Sequence, residues 1–417
     1  MNIFVVGAGP AGLITAVCFA NKKNTVYIYD KDKSKLEKIK AGKTPFYEKD
    51  LGSELGKTEE NIKPVFEMGR GFRNAEIIFI CVGTPCRSNN KIDLSQIHSA
   101  CDELADLIRN STARKIITIR STVVPGTVTE LVGRIEEKSG KKYPEEFGVV
   151  SNPEFLRQGN AIEDFLYNNK VIIGSDNSRD ADKLKEIYSC FERPIHAMSS
   201  KSAEMAKYMN NCFSTTKISF INEMGLIAKE QGIDINEISE ALDMRLGQGN
   251  FPLKAGCGFG GGCLEKDLKA FIEVSKEYGI EPRMLSTALK INEQLPVLMI
   301  NILRKKLGKL EGKKIGMLGL AFKKGTDGIR NSRSGQIIDK LESENASIFV
   351  YDPKVVDTGL EHAENAQKLI DESDAIVIVS DWDEFSELDY GDKIVIDGRN
   401  VVPKEKRGKN YEGICWP

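Results

Sequence analysis

One cysteine stands in a setting that could do chemistry. Cys263 follows three glycines in the run CGFGGGCLEKD (257–267), and it precedes a helical pattern that carries Lys266 and Asp267. Glycines remove side chains, so a bulky ligand can approach the backbone. A helix N-terminus and a nearby ammonium group favour the thiolate, which is the nucleophilic form of cysteine. The pattern therefore predicts a reactive thiol beside a ligand site.

A glycine motif at the start of the chain predicts a dinucleotide site. Gly7, Gly9 and Gly12 form G-x-G-x-x-G between a strand pattern and a helical pattern. They permit a tight turn, close approach of the backbone to a pyrophosphate, and close packing of the helix on the strand. Asp30 ends the next strand pattern, where a carboxylate binds the ribose hydroxyls and repels a 2′-phosphate, which favours NAD. A hydride acceptor and a poised thiol together suggest oxidation past the aldehyde, through a thioester.

The elements that must position these residues are α/β patterns at both ends of the chain, with helical patterns between them. Apolar residues recur at helical spacing for about 30 residues from Ser200 to Gly232, and buried-strand patterns return at Lys313. We predict an α/β fold with two Rossmann-like doubly wound domains, joined by a helical central region that contains one long helix. The predicted domains are residues 1–199, 200–310 and 311–417. A helix this long usually packs against a partner, so we expect a dimer core there and a ligand cleft between the flanking domains.

Composition narrows the classes of function. The 417 residues are 41% hydrophobic and 29% charged, which is typical of a globular protein. The net charge of −2 gives no electrostatic reason to expect binding to nucleic acid or to an anionic membrane. No apolar run reaches the roughly 18 residues that span a bilayer. Nine dispersed cysteines and three histidines predict neither a disulfide framework nor a metal site. Since the N-terminal residues do not form a signal-peptide pattern either, we expect a cytoplasmic protein.

Motifs along nearly the whole chain resemble the UDP-glucose/GDP-mannose dehydrogenase family of nucleotide-sugar dehydrogenases. They are GAGPAG (7–12), TPFYEKDL (44–51), VGTP (82–85), STVVPGTV (121–128), NPEFLRQGNAIEDF (152–165), SAEMAKYMNN (202–211), DMRLG (243–247), GFGGGCLEKD (258–267), GLAFKKGTD (319–327) and IDGR (396–399). The resemblance implies two successive oxidations of a sugar C6 alcohol by two NAD⁺ and one water. NPEFLRQG favours UDP-glucose as the substrate. GDP-mannose and a UDP-N-acetylhexosamine remain alternatives.

The resemblance also implies catalytic roles. Cys263 adds to the aldehyde and becomes a thioester, while Lys207 and Asn211, which share one helix face, hold an oxyanion or a water near C6. Asp267 cooperates with Lys207 in proton transfer through a water. Thr122 positions this water or the nicotinamide, and Glu154 is a further acid–base residue.

Binding roles follow from the same resemblance. The implied cofactor-binding residues are Gly7, Gly9, Gly12, Asp30, Lys35, Thr84, Thr122, Gln158, Lys266 and Arg330. The implied substrate-binding residues are Glu154, Phe155, Leu156, Arg157, Lys207, Asn211, Arg245, Phe251, Leu253, Lys254, Gly260, Lys323 and Arg399. Arg245 matches an arginine that enters from the neighbouring subunit, which implies at least a homodimer. No residue is assigned to a metal.

One departure from the family pattern concerns the thiol, and two other functions remain open. Glu265 stands where the family commonly has proline, and a carboxylate so near would disfavour the thiolate. We interpret Cys18, Cys81, Cys101 and Cys212 as inert core residues. A two-electron dehydrogenase of the β-hydroxyacid type would share the Rossmann start and a catalytic lysine but would need no thiol. A sensor would bind the nucleotide without releasing NADH.

Overall fold

A computed structural model describes residues 1–168, 170–246 and 253–417. The chain divides into two compact units, Met1–Met209 and Asn210–Pro417, which are described separately. Within the described residues, no helix is both long and apolar enough to cross a membrane. The domain boundaries at residues 199 and 310 remain a prediction.

The first unit is built on a sheet of eight strands in its described part. Their order is β3-β2-β1-β4-β5-β6-β7-β8, and all neighbours are parallel except β6 and β7. β-branched and aromatic runs such as NIFVV and IIFI suit these strands, because helices cover a parallel sheet on both faces. The strands are β1 (Asn2–Val6), β2 (Thr25–Tyr29), β3 (Ile62–Pro64), β4 (Ile77–Ile80), β5 (Lys115–Ile119), β6 (Phe147–Ser151), β7 (Val171–Gly174) and β8 (Ile195–Met198).

Helices connect these strands in the crossover pattern of a doubly wound fold. They are α1 (Pro10–Asn21), α2 (Lys33–Lys40), α3 (Leu51–Lys57), α4 (Met68–Asn74), α5 (Ser95–Arg109), α6 (Thr127–Ser139), α7 (Ala161–Glu163) and α8 (Ser178–Tyr188). Single helical turns lie at Asp164–Asn168 and Ser189–Phe191. A 31-residue helix, α9 (Ser200–Glu230), begins in this unit and continues into the second.

An aromatic cluster anchors α1 to one face of the first sheet. The ring of Phe19 lies 5.2–5.6 Å, centroid to centroid, from those of Phe79, Phe165, Tyr188 and Phe191. Pairs of this kind contribute about 0.5–1.5 kcal/mol each beyond the area they bury. The cluster therefore fixes the helix that follows the glycine turn.

The second unit combines helices with a smaller parallel sheet. Its described helices are the rest of α9, then α10 (Ile235–Leu246), α11 (Leu264–Glu277), α12 (Arg283–Leu307), α13 (Arg333–Ser343) and α14 (Ala366–Glu372). Its strands are β9 (Lys314–Leu318), β10 (Ser347–Tyr351), β11 (Glu361–His362), β12 (Ala375–Ile378), β13 (Ile394–Asp397) and β14 (Tyr411–Gly413). Single turns lie at Asp383–Ser386 and Lys404–Lys406. The strand order β11-β10-β9-β12-β13-β14 repeats the Rossmann arrangement, so the predicted fold class is confirmed.

Candidate active site

The glycine turn after β1 has the geometry of a dinucleotide-binding turn. Gly7 has φ +107°, and a Cβ there would lie 2.5 Å from the carbonyl oxygen of Cys81. A Cβ on Gly12 would lie 1.8 Å from the carbonyl oxygen of Gly7, so helix and strand can pack this closely only with glycine. A Cβ on Gly9 would meet no atom within 4 Å. Packing therefore requires the first and third glycines, whereas the second leaves the backbone open to a ligand.

Asp30 is held at the edge of the same turn. Its Oδ2 accepts the backbone N–H of Ala8 at 2.7 Å and lies 3.3 Å from Nζ of Lys35, while its Oδ1 accepts the N–H of Asp32 at 2.9 Å. Asp30, Lys35, Gly7 and Gly9 line one cavity of about 350 Å³. Since Gly9 provides no side-chain cap, the first-turn N–H groups of α1 can bind a phosphate. The turn and the carboxylate thus fit NAD.

A largely buried ion pair lies in the first unit. Nζ of Lys207, on α9, is 3.2 Å from Oε1 of Glu154, and the Lys207 side chain is 5% exposed. Burial opposes ionisation of Glu154 and so raises its pKa. The pKa nevertheless stays below the ordinary value, because the carboxylate is stabilised by the Lys207 ammonium, the N–H of Leu156 and the charge of Arg120. The ring of Phe155 lies 5.4 Å from Nζ of Lys207. The structure therefore presents a carboxylate and an ammonium in contact, away from bulk water.

The segment that follows β6 is held by one ion pair and by hydrogen bonds from its backbone to a carboxylate. Arg157 binds the fully buried Asp164, with 2.6 Å between Nη2 and Oδ1. Glu48, in the TPFYEKDL motif, accepts the N–H groups of Gly159 and Ala161. Arg157 is thus committed to a contact within its own segment. Three further predicted residues are half-buried or buried in this unit, namely Thr84, Thr122 and Gln158.

The thiol and its neighbours lie in the second unit. Cys263 is exposed and forms the N-cap of α11. One turn later, Asp267 is 1% exposed, and its Oδ2 accepts a hydrogen bond of 2.6 Å from Nδ2 of Asn211. Nζ of Lys266 lies 2.5 Å from Oδ1 of Asp267. A surface thiol at a helix N-terminus is therefore followed by a buried carboxylate with two donors.

Most of the other cysteines differ from Cys263 in burial. Among the nine, all within the described ranges, only Cys190 and Cys263 are exposed. Burial raises the pKa of Cys81, Cys101 and Cys212 to about 12, so these thiols stay protonated at neutral pH. Burial raises the pKa of Cys18 as well. These are the inert core residues that the sequence predicts.

Glu265 contacts two cations rather than lying as an uncompensated charge beside the thiol. Its carboxylate lies 2.5 Å from Nη2 of Arg333 and 2.6 Å from Nζ of Lys269. The sequence alone suggested that this carboxylate would oppose the thiolate. Because both oxygens pair with cations, most of that opposition is removed.

Three cations that the sequence predicts to bind substrate or cofactor belong to the second unit. Lys323 is half-buried and Arg330 is exposed. Arg399 follows β13, and its Nε donates to the carbonyl of Val379 at 2.9 Å. The loop that carries it is built by Asp397, whose carboxylate accepts the N–H groups of Arg399, Val401 and Val402.

The segment before the thiol contains the remaining predicted substrate contacts. A Cβ on Gly260 would lie 2.5 Å from the carbonyl oxygen of Asn331, so this site requires glycine. Leu253 is buried in the core of the second unit and Lys254 is exposed. Phe251 and the side chain of Arg245 lie outside the described part of the chain.

Sequence reasoning missed three charged residues that hold segments next to predicted site residues, namely Glu48 and Glu204 in the first unit and Arg333 in the second. Glu204 accepts the N–H groups of Gly126 and Val128 at 2.6 and 2.8 Å. The sequence signal for Glu48 and Glu204 was their place inside the quoted motifs. Arg333 had no such signal, because its partner is distant in the sequence. In the described residues, no cluster of His, Cys, Asp or Glu could hold a metal ion.

Together, the fold and its glycine turn define a dinucleotide-binding α/β protein. Three models of the UDP-glucose/GDP-mannose dehydrogenase family match the chain, namely the NAD binding domain over residues 1–192, the central domain over 201–294 and the UDP binding domain over 316–404. The chain belongs to this family. It is an oxidoreductase whose cofactor is NAD, which confirms the predicted family, enzyme class and cofactor.

Individual relatives extend the similarity over the whole chain. UDP-glucose 6-dehydrogenase AglM of Haloferax volcanii is 33% identical over 99% of this chain and 100% of its own length. The structure of a UDP-glucose dehydrogenase from Pyrobaculum islandicum superposes with a TM-score of 0.95 at 34% identity, covering 100% of this chain and 98% of that one. A UDP-D-ManNAc dehydrogenase from Pyrococcus horikoshii follows at a TM-score of 0.89 and 29% identity, with 99% of each chain covered.

Proposed function

We propose that the enzyme oxidises the C6 hydroxyl of UDP-glucose twice, to UDP-glucuronate, through a thioester on Cys263. One observation carries the proposal. The exposed Cys263 stands at the N-cap position of α11, and one turn later the buried carboxylate of Asp267 is bound by Asn211 and Lys266. This arrangement supplies a nucleophile and a positioned acid–base group on neighbouring turns.

The reaction balances with two NAD⁺ and one water. NAD⁺ supplies a hydride acceptor for each oxidation. The C6 alcohol loses a hydride and a proton to give an aldehyde, and the Cys263 sulfur adds to that carbon to form a thiohemiacetal. This tetrahedral adduct still holds a C–H bond, so it loses a second hydride and a proton and becomes a thioester. Water then cleaves the C–S bond, which releases the carboxylate and restores the thiol.

The charged side chains have separate tasks in this scheme. The Lys207 ammonium stabilises negative charge on the substrate oxygen, and its buried setting makes that charge effective. Glu154 is held ionised by Lys207 and Leu156, so it suits the role of a proton acceptor at neutral pH. Asp267 and Asn211 hold the hydrolytic water, and Thr122 orients it or the nicotinamide.

The choice of UDP-glucose rests on the named relatives and on the NPEFLRQG segment. GDP-mannose and a UDP-N-acetylhexosamine would undergo the same chemistry, and the family description and the Pyrococcus relative name enzymes for sugars of these kinds. We assign Lys323 and Arg399 to the diphosphate and Arg330 to the cofactor side. Because the chemistry needs a reduced thiol, a reducing compartment such as the cytoplasm suits it.

We further propose that the working unit contains at least two chains. Four apolar side chains of α9 are 50–72% exposed, namely Met209, Phe213, Phe220 and Ile227. They recur at spacings of four and seven residues, as expected for one helix face that packs against another helix. In this assembly Arg245 would act in the partner's active site.

The decisive experiment counts NADH for each sugar consumed. The intact enzyme should release two NADH for each UDP-glucose and little with GDP-mannose or UDP-N-acetylmannosamine. Cys263→Ala should form no acid, whereas Cys190→Ala, which removes the other exposed thiol, should behave as wild type. One NADH for each sugar in the intact enzyme, or full acid formation by Cys263→Ala, would reject the thioester. A preference for another nucleotide sugar would change only the proposed substrate and would leave the proposed mechanism in place.

A further inference from the structure

A buried ion pair joins the helix that carries the thiol to the sheet domain of the second unit. Nη2 of Arg333, at the start of α13, lies 2.5 Å from Oε2 of Glu265 in the first turn of α11. The two side chains are only 1% and 8% exposed. Burying two charges costs free energy that their attraction rarely exceeds, so such a pair is weak evidence for a role in stability alone. Its position, two residues after Cys263, points to a role in geometry.

A second anchor fixes the chain on the other side of the thiol. Asn292, on α12, is fully buried, and its side-chain amide binds both backbone groups of Phe259. Oδ1 accepts the Phe259 N–H at 2.8 Å, and Nδ2 donates to its carbonyl at 3.1 Å. Nη1 of Arg333 also lies 3.5 Å from the carbonyl oxygen of Asn292. The two anchors thus belong to one buried polar cluster.

Gly260 and Gly261, which lie between the two anchors, pack directly against Asn331 and Phe322. A Cβ on Gly260 would be 2.5 Å from the Asn331 carbonyl, and a Cβ on Gly261, which has φ +87°, would be 2.9 Å from the ring of Phe322. Nδ2 of Asn331 contacts the carbonyl of Gly261 at 3.5 Å. The backbone from Phe259 to Glu265 is therefore held at both ends and supported between them.

We propose that Arg333, Glu265 and Asn292 are positioning residues that hold the Cys263 thiol where it captures the aldehyde. The inference rests on the proposed thioester mechanism, and it adds residues that do not touch the substrate. Capture demands close placement of sulfur and carbon, and a displacement of about 1 Å can cost about 100-fold in rate. A loosened thiol lets the aldehyde leave before the second oxidation.

The test replaces the pair as a unit in the full-length enzyme. Glu265→Gln/Arg333→Met removes both charges, so neither is left buried without a partner. Glu265→Asp retains the charge but shortens the side chain by one methylene, which protects the test against misfolding of the double variant. The matched control is Arg304→Met/Glu344→Gln, an exposed pair that links α12 to the residue after α13. Thermal unfolding followed by circular dichroism verifies that each variant is folded throughout, and calorimetry verifies that it binds NAD.

The informative readout is the fate of the aldehyde. With semicarbazide present as a carbonyl trap, the double variant should release closer to one NADH than two for each sugar. Its kcat for acid formation should fall about tenfold, and Glu265→Asp should change both quantities in the same direction. The KM for NAD should stay within twofold, and the control pair should match wild type.

Two failures are distinguishable. If both Glu265 variants release two NADH in the presence of the trap, with kcat within twofold of wild type, the positioning role is rejected. The thioester mechanism survives that result as long as Cys263→Ala forms no acid. If Cys263→Ala does form acid at the normal rate, the proposed function itself fails.

Discussion

Asp30 and Asp352 occupy matching positions in the two sheets but have different surroundings. Both follow a tyrosine at the end of the second strand of their unit. Asp352 is 3% exposed, and its carboxylate accepts four backbone N–H groups and the indole N–H of Trp382. Asp30 accepts two backbone N–H groups, contacts Lys35 and borders the cavity beside the glycine turn. Only Asp30 therefore has carboxylate surface to offer a ribose.

This difference leads to a prediction about cofactor choice. Asp30→Ala should raise the KM for NAD about 10- to 100-fold and should weaken discrimination against NADP, because the carboxylate both binds the ribose hydroxyls and repels a 2′-phosphate. The measurement is kcat/KM with each cofactor. Asp32→Ala is the control, since Asp32 caps α2 through Ser34. An unchanged NAD preference in Asp30→Ala would contradict the assignment.

Individual residues were predictable where one local motif determines them. The contact that requires Gly12 is with the carbonyl of Gly7, five residues earlier, and the left-handed φ of +107° at Gly7 belongs to the same turn. The strand–turn–helix pattern around both glycines is visible in the sequence. Glu265 shows the limit. From the sequence, its carboxylate is expected to disfavour the thiolate of the nearby Cys263. The cation that compensates it, Arg333, is 68 residues away. A compensating charge at that distance in the chain becomes apparent only in the fold.

At the scale of elements, the sequence revealed the long helices and most strands, but it missed β6 and several shorter strands. The pattern did not mark β6, because its five residues include Gly148, and glycine weakens a strand pattern. The structure gives a reason for that glycine. A Cβ there would lie 2.4 Å from the carboxylate of Asp180, which is paired with Arg114. The two-residue β11 and three-residue β14 are too short for any periodicity to show.

The long helix is tied to a neighbouring helix by one buried carboxylate. Glu204 of α9 binds the N–H groups of Gly126 and Val128 at the start of α6. The loop before α6 contains Thr122, and Lys207 lies one turn after Glu204. Burial raises the pKa of Glu204 to about 7 against the opposing effect of the two N–H groups. This contact therefore titrates near neutral pH.

Stability should depend on pH through this carboxylate. Between the ordinary value of 4.5 and about 7, the folded protein keeps the Glu204 proton, whereas the unfolded chain has lost it. The free energy of unfolding should therefore fall as pH rises through this window, by up to about 3 kcal/mol, and level off above it. Urea unfolding of wild type and Glu204→Gln from pH 4.5 to 8 measures the difference. Glu230→Gln, at the exposed end of α9, should show no such trend, and a flat difference for Glu204→Gln would refute the assignment.

At the scale of the whole molecule, the sequence predicted two Rossmann-like sheets and a long helix because each gives a strong periodic signal. What it could not establish was which face of that helix is left uncovered. Apolar residues recur at helical spacing along α9. Only the structure shows which of them are buried within the chain and which are exposed on its surface. Phe213 is 72% exposed and Phe220 is 52% exposed, whereas Tyr208 and Ile221 are buried. Exposed apolar side chains that share one helix face are typical of an interface.

Mixing two inactive variants tests whether active sites are shared between chains. Cys263→Ser lacks the nucleophile, and Arg245→Ala lacks the arginine that we assign to the partner's site, so each variant alone should be inactive. In a mixed dimer, one of the two sites combines an intact Cys263 with an intact Arg245. Statistical reassembly of equal amounts should restore about one quarter of wild-type activity.

Light scattering should show a dimer or larger assembly. Adding Phe213→Glu and Phe220→Glu to both chains should abolish the recovered activity, because charges on the apolar face of α9 prevent association. The control is Tyr278→Glu, at an exposed apolar site outside α9, which should leave the recovered activity unchanged. If the mixture stays inactive although mixed dimers form, Arg245 acts within its own chain.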